Sequence, residues 1–180
     1  MAATPDTGNR SPSSDHEAFE KLVRENQRMI HALCYRMTGS LSDAEDLAQE
    51  TFVRAYEGLA GFRAESRVSS WLYRIALNQC LNWKTRKKRQ AQLLQDWVEH
   101  ATDSSAPDIR SGQQIQEALM QLPAKQRAAV VLTTYDGLNH AEAAKVLGCS
   151  ETTISWRVFA ARRKLKQLLN GLHPRGGRCD

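Results

Sequence analysis

Long apolar runs are missing from this sequence. No stretch approaches the roughly 18 residues of a membrane span, and the first residues carry no apolar signal core. A cytoplasmic protein without membrane insertion is therefore expected. Glycine and proline are scarce, at 10 and 5 in 180 residues. Ala, Leu, Arg and Gln are plentiful instead, which favours helices throughout. Cysteine occurs four times, at Cys34, Cys80, Cys149 and Cys179, but never as CxxC or at paired spacing. Neither a zinc ribbon nor a disulfide scaffold is indicated. No His follows a Glu by three residues, so the Glu-x-x-His di-metal pattern is absent too. His31 and Cys34 share a helix face, which fits a core thiol beside a surface imidazole better than a metal pair. No metal and no cofactor is expected.

What is present describes a folded chain with an anionic partner. Hydrophobic residues at 41% and charged residues at 25% exclude wholesale disorder. The net charge of +5 is unevenly placed. Residues 1–89 hold 14 Lys/Arg against 11 Asp/Glu, residues 90–112 hold 1 against 4, and residues 113–180 hold 10 against 5. Two cationic blocks thus flank an acidic, small-residue stretch around Asp103-Ser104-Ser105-Ala106-Pro107-Asp108. The expected organisation is a mobile tail over 1–14, a helical domain over 15–95, a linker over 96–112, a second helical domain over 113–170 and a tail over 171–180. The fold class is all-α: two small helical domains joined by a flexible linker, the second a helix-turn-helix domain.

In the first block, Ser14-x-x-Glu17 and Ser42-x-x-Glu45 read as capping boxes that open two helices, ending near Gly39 and Gly61. On the second helix, over about 43–60, Ala44, Ala48, Phe52, Ala55 and Leu59 share one side. Asp43, Asp46, Glu50 and Glu57 share the other. That acidic strip fits a solvated face, and it fits a docking face for a basic partner helix. A third helix from about Ser69 or Ser70 is apolar over most of its girth. One polar strip crosses it: Arg74, Asn78, Asn82, Thr85 and Arg89, running into Lys84-Thr85-Arg86-Lys87-Lys88-Arg89. With the preceding Phe62 and Arg63, this composition suits nucleic acid: cations for phosphates, amides for base edges, an aromatic for an unstacked base. The alternative is a helix end made basic to match its dipole.

In the second block, helices are expected over Gln113–Leu122 and Lys125–Tyr135, around Pro123. Asn139 and Glu142 form a further capping box for a helix to Leu147, and Ser150 caps a last helix through about Leu169. Ala144, Gly148 and Ile154 stand at helix-turn-helix spacing: a small residue at the crossing, a glycine in the turn, an apolar plug. Ile154, Val158, Ala161, Leu165 and Leu168 form the core stripe. Thr152, Trp156, Phe159 and Arg163 face away from it, with Ser155 alongside. Such a face can read a major groove, with Arg157, Arg162, Arg163, Lys164 and Lys166 on the backbone. Packing of Trp156 and Phe159 on another surface is the competing reading.

Taken together, these segments resemble the extracytoplasmic-function (ECF) group of the sigma-70 family. Asp43-Ala44-Glu45-Asp46-Leu47-Ala48-Gln49-Glu50-Thr51-Phe52 looks like the family's polymerase-binding helix. Phe62-Arg63-Ala64-Glu65-Ser66 with Trp71-Leu72-Tyr73-Arg74-Ile75-Ala76 looks like its promoter-melting loop and helix. Leu122-Pro123-x-x-Gln126-Arg127, Gly137-Leu138 and the helix-turn-helix look like its −35-reading domain. The likeness spans about residues 15–169. It implies a protein that is not itself an enzyme, has core RNA polymerase and promoter DNA as partners, and is held in check by an anti-sigma factor. Carried over by position, Asp43, Asp46, Gln49 and Glu50 would meet the polymerase. Phe62, Arg63, Arg74, Asn78, Asn82, Lys84 and Arg86 would meet the −10 element. Thr152, Thr153, Ser155, Trp156, Arg157, Phe159, Arg162, Arg163 and Lys166 would meet the −35 element. The chain departs from the family at Ser155, where a basic residue is common, and at Trp156, where a small one is frequent. Two rivals use the same residues: a free-standing dimeric helix-turn-helix regulator, and a metal-dependent nuclease built on Asp43, Asp46 and Glu50.

Overall fold

The computed structural model describes residues 12–59, 67–94 and 110–170. Residues 96–109 of the linker expected over 96–112, the chain before residue 12 and the tail from residue 171 lie outside them, as does Cys179, while residues 110–112 belong to a helix rather than to the linker. All regular elements among the described residues are helical: α1 Pro12–Thr38, α2 Leu41–Gly58, α3 Val68–Leu94, α4 Arg110–Met120, α5 Ala124–Val130, α6 His140–Leu147 and α7 Glu151–Asn170.

Local chemistry sets most of the boundaries. Gly39 takes φ 77°, where a side chain would be strained, and its amide closes α1 by donating to the Tyr35 carbonyl at 2.8 Å. A Cβ on Gly39 would also meet Met120 Cγ at 3.1 Å, because α4 passes close by. Ser40, not Ser42, then caps α2: its backbone is extended and its hydroxyl accepts from the Asp43 amide at 3.3 Å. Ser14 likewise falls inside α1, which starts at Pro12. The Asn139–Glu142 capping box is present in both directions, at 2.9 and 3.0 Å. Gly148 takes the left-handed turn at φ 60°, and the Ser150 hydroxyl accepts from the Thr153 amide at 3.2 Å. The helix expected through Tyr135 is α-helical only to Val130. Val131–Tyr135 forms a π-helical turn, with the Asp136 amide donating to the Val131 carbonyl at 3.1 Å.

The first three helices and the last four form the two expected sets, and these pack against one another. A single apolar cluster runs from Ile30, Leu33, Leu47, Leu72 and Leu77 into Ala128, Val131, Leu132, Ile154 and Val158. Helix α3 is apolar nearly all round because it is covered from both sides, by α1 and α2 and by α5 and α6. Cys34 and Cys80 meet inside this core with their sulfurs 3.8 Å apart; the Cys80 thiol beside it and burial push the Cys34 thiol far up.

Polar groups fasten the junction at the last turn of α1, where carbonyls can accept from outside the helix. Gln116 Nε2 donates to the Tyr35 carbonyl at 3.0 Å. Arg127, 1% exposed, places its guanidinium among four carbonyls: Leu119 at 2.8 Å, Met120 at 2.8 Å, Leu122 at 3.1 Å, and Met37 across the junction. Burial pushes its pKa down, with the Cys80 sulfur opposing. Beside it, Arg36 lies over the Tyr135 ring at 4.5 Å and 4.0 Å from Asp136 Oδ1. The Asp136 side chain is 6% exposed, and its Oδ2 has no hydrogen-bond partner among the described residues. Burial raises its pKa from 3.8 to about 6 against the pull of Arg36. Tyr73 is pushed up as well, by burial and then by the Asp136 charge.

Two outcomes follow from this junction. Arg127→Met orphans several buried carbonyls at once and should lower stability by about 3 kcal/mol or more, read from the urea midpoint. Asp136 binds a proton more tightly folded than unfolded, so its contribution is full below about pH 4 and is lost as pH rises through about 6. Asp136→Asn should remove up to about 3 kcal/mol of that pH dependence, measured by melting between pH 4 and 7.

Candidate polymerase and promoter interface

On α2 the core side is Ala44, Leu47, Ala48, Thr51 and Ala55, all buried. The expected acidic strip lies opposite, but its members differ. Asp46 and Gln49 are exposed. Glu50 pairs with Arg54 one turn on, at 2.9 Å. Asp43 is turned inward to α3: Trp83 Nε1 donates to Oδ1 at 3.0 Å and Lys87 Nζ to Oδ2 at 2.9 Å. Burial pushes the Asp43 carboxyl up, yet bonds from Lys87, Ser40 and Trp83 with the Lys87 charge outweigh it, and the net shift is downward. Trp83 was not singled out in the sequence; its indole N–H opposite a carboxylate is visible only once α2 and α3 are side by side.

An apolar cleft of about 920 Å³ lies between α1 and α2, with Gln49 in its lining and Phe19, Val23, Phe52, Val53 and Tyr56 as its floor. Phe19 meets Tyr56 edge-on at 5.0 Å. Val53 and Tyr56 remain more than half exposed. The surface therefore combines apolar area with Glu45, Glu57 and Arg28 in its lining.

The polar strip of α3 is outward as expected: Arg74, Asn78 and Asn82 are all exposed. Arg74 also reaches the other set of helices, its Nη2 donating to the Lys145 carbonyl on α6 at 2.9 Å. Lys84 and Arg86 lie on α3, whose helix continues through the basic run; their side chains, and all of Phe62 and Arg63, lie outside the described residues.

In the helix-turn-helix, Ile154, Val158 and Ala161 of α7 are buried. Trp156 and Phe159 are 63% and 66% exposed, on the face away from that stripe. Thr152, Ser155, Arg162, Arg163 and Lys166 are exposed beside them. Two residues of the expected set serve the turn instead. The Thr153 hydroxyl bonds Ser150 Oγ at 2.8 Å, and Arg157 Nη1 approaches Cys149 Sγ at 3.4 Å. The face gathers another residue from α6. His140 Nδ1 lies 2.9 Å from Ser155 Oγ, and both line a cleft of about 330 Å³ with Phe159, Arg162, Arg163 and Lys166. Sequence spacing gave no sign of His140, which stands fifteen positions before its partner. Among the described residues no three His, Cys, Asp or Glu side chains gather as a metal site, so Asp43, Asp46 and Glu50 do not converge. No helix among them is long and apolar enough to cross a membrane.

Comparison with known proteins agrees with this layout. Residues 22–90 match Sigma-70 region 2, and residues 112–165 match Sigma-70, region 4. The chain is 35% identical over 161 residues to the ECF RNA polymerase sigma factor SigM of Mycobacterium tuberculosis, covering 89% of this chain and 82% of that one. It is 31% identical to the ECF RNA polymerase sigma factor SigW of Bacillus subtilis, covering 88% and 92%. Among solved structures it is similar to the sigma factor RpoE of Bartonella quintana, crystallised with the anti-sigma factor NepR (TM-score 0.69, 26% identity, 86% and 98% covered). It is also similar to CnrH in complex with the cytosolic domain of CnrY (TM-score 0.67, 27% identity, 88% and 92% covered). With both sigma-70 regions matched in order on two helical sets, the chain belongs to the ECF sigma factors of the sigma-70 family.

Proposed function

We propose that this chain is the promoter-reading subunit of an RNA polymerase holoenzyme, with the labour divided among three helices. Asp46, Gln49 and Glu50 of α2, with the apolar cleft beside them, dock on a basic, partly apolar helix of the core enzyme. Arg74, Asn78 and Asn82 of α3, with Phe62, Arg63, Lys84 and Arg86, hold the −10 element. The outward face of α7 reads the −35 element. The observation that carries this reading is the exposure of Trp156 and Phe159 amid cations on the second helix of a helix-turn-helix, while α1 and α2 carry the exposed acids Glu17, Glu20, Glu25, Glu45, Asp46 and Glu57. A protein surface and a DNA surface are thereby separated by charge. The chain performs no chemical step itself; bond formation belongs to the polymerase, and the protein works in the cytoplasm. Strand opening needs only that captured bases offset unstacking, a few kcal/mol per step.

The contact of Arg74 with Lys145 supports a regulated cycle. In the packed arrangement a −10-facing cation is spent on the other domain, so promoter engagement requires the halves to separate. An anti-sigma factor that favours the packed arrangement would act by population shift. The two similar structures captured with NepR and CnrY support such a partner.

Reversal of charge at the docking strip tests the first contact. Asp46→Arg combined with Glu50→Arg should abolish co-elution with core polymerase while the helical circular dichroism stays unchanged, since both lie off the buried side. Undiminished association refutes the docking role. For the DNA face, Trp156→Ala or Phe159→Ala should shift stability by less than about 0.5 kcal/mol, as exposed residues do. Each should weaken holoenzyme binding by about 1–3 kcal/mol in a manner that depends on the −35 sequence. Equal losses on matched and scrambled −35 duplexes would show that neither ring reads bases.

A further inference from the structure

His140 opens α6, the first helix of the helix-turn-helix, and its ring is held in one orientation by α7. Ser155 Oγ donates its single hydrogen to the Glu151 carbonyl at 3.0 Å. The hydroxyl can therefore meet His140 Nδ1, 2.9 Å away, only as an acceptor. Nδ1 carries the hydrogen, and Nε2 is left as the ring's open position: an acceptor when the ring is neutral, a donor when it is protonated.

The surroundings select what Nε2 meets. His140 and Ser155 line the same cleft as Arg162, Arg163 and Lys166, over an apolar floor of Val158 and Phe159. No carboxylate is part of that lining. The nearby acid on α6, Glu142, is committed to the Asn139 amide, and on α7 Glu151 contributes its backbone carbonyl. The amide of Glu142 is in turn taken by the Asn139 side chain, so the seat is made by side chains rather than by the helix end. Three cations and a ring with one open nitrogen suit an anion. The first helix of such a motif crosses the DNA backbone while the second enters the groove.

We propose that His140 is a promoter-contacting residue: its Nε2 donates to one phosphodiester of the −35 backbone seated in this cleft beside Arg162, Arg163 and Lys166, and the ring takes up a proton as DNA binds. Ser155 is the positioning residue that aims it. This rests on α7 being the −35 helix. Coupling to one proton makes promoter affinity rise as pH falls, by at most about tenfold per pH unit.

The experiment uses full-length protein assembled with core polymerase, at fixed salt between pH 6 and 8. Its duplexes each carry a single neutral methylphosphonate in place of one −35 phosphodiester. Wild type is compared with His140→Gln, His140→Lys and Arg162→Ala. The expected result is a three- to tenfold advantage of wild type over His140→Gln at pH 6 that shrinks by pH 8. His140→Lys should keep the advantage at every pH. One particular methylphosphonate should erase the difference between wild type and His140→Gln. Coincident curves for those two proteins at all pH values and linkages overturn the proposal. If Arg162→Ala still shows a linkage-specific loss in that case, the −35 assignment of α7 stands and His140 alone is excluded. If no linkage matters to either variant, the assignment of α7 fails with it.

Discussion

The guanidinium of Arg127 is the contact on which the packed arrangement depends. A helix that ends inside a protein leaves its last carbonyls without partners, and α1 and α4 both end where the two halves meet. Arg127 supplies donors for Met37 from one helix and for Leu119, Met120 and Leu122 around the other. A buried cation satisfied by carbonyls rather than by a carboxylate remains charged at a desolvation cost, which its lowered pKa records. The arrangement is therefore demanding in geometry: the donors are useful only where both helix ends are present. Gln116 repeats the theme at the same end of α1, donating to the Tyr35 carbonyl.

Two effects oppose one another at this junction. The apolar cluster favours association, since Leu72, Leu132 and Ile154 are sealed from water on both sides of it. Asp136 opposes it near neutrality, because a buried carboxylate with one unbonded oxygen is costly to ionise.

Much of the fold was legible because local patterns determine it. The stripe Ile154, Val158, Ala161 and the outward Trp156 and Phe159 follow from helical periodicity alone, and the Asn139–Glu142 box is a contact between near neighbours. The cap of α2 was misplaced because Ser40 and Ser42 each precede an acid by three positions. Gly39 decided between them by turning the chain early. The π-helical turn at Val131–Tyr135 adds a residue to a pattern that reads as ordinary helix. Long-range partners were beyond reach in principle. Periodicity reveals that α3 is apolar over most of its girth, but not that α5 and α6 supply part of the cover. Nor does spacing show that Arg127 is buried, that Asp43 serves Trp83, or that His140 joins the α7 face.

The bridge from Asp43 to Trp83 and Lys87 has a mechanical consequence. It joins the first turn of α2 to the distal half of α3 by two bonds to one carboxylate, with the Lys87 ammonium also 4.9 Å from the Trp83 ring. Helices tied at such a point turn as one lever rather than as two independent rods. Whatever grips α2 therefore sets the azimuth of Asn78 and Asn82 along α3.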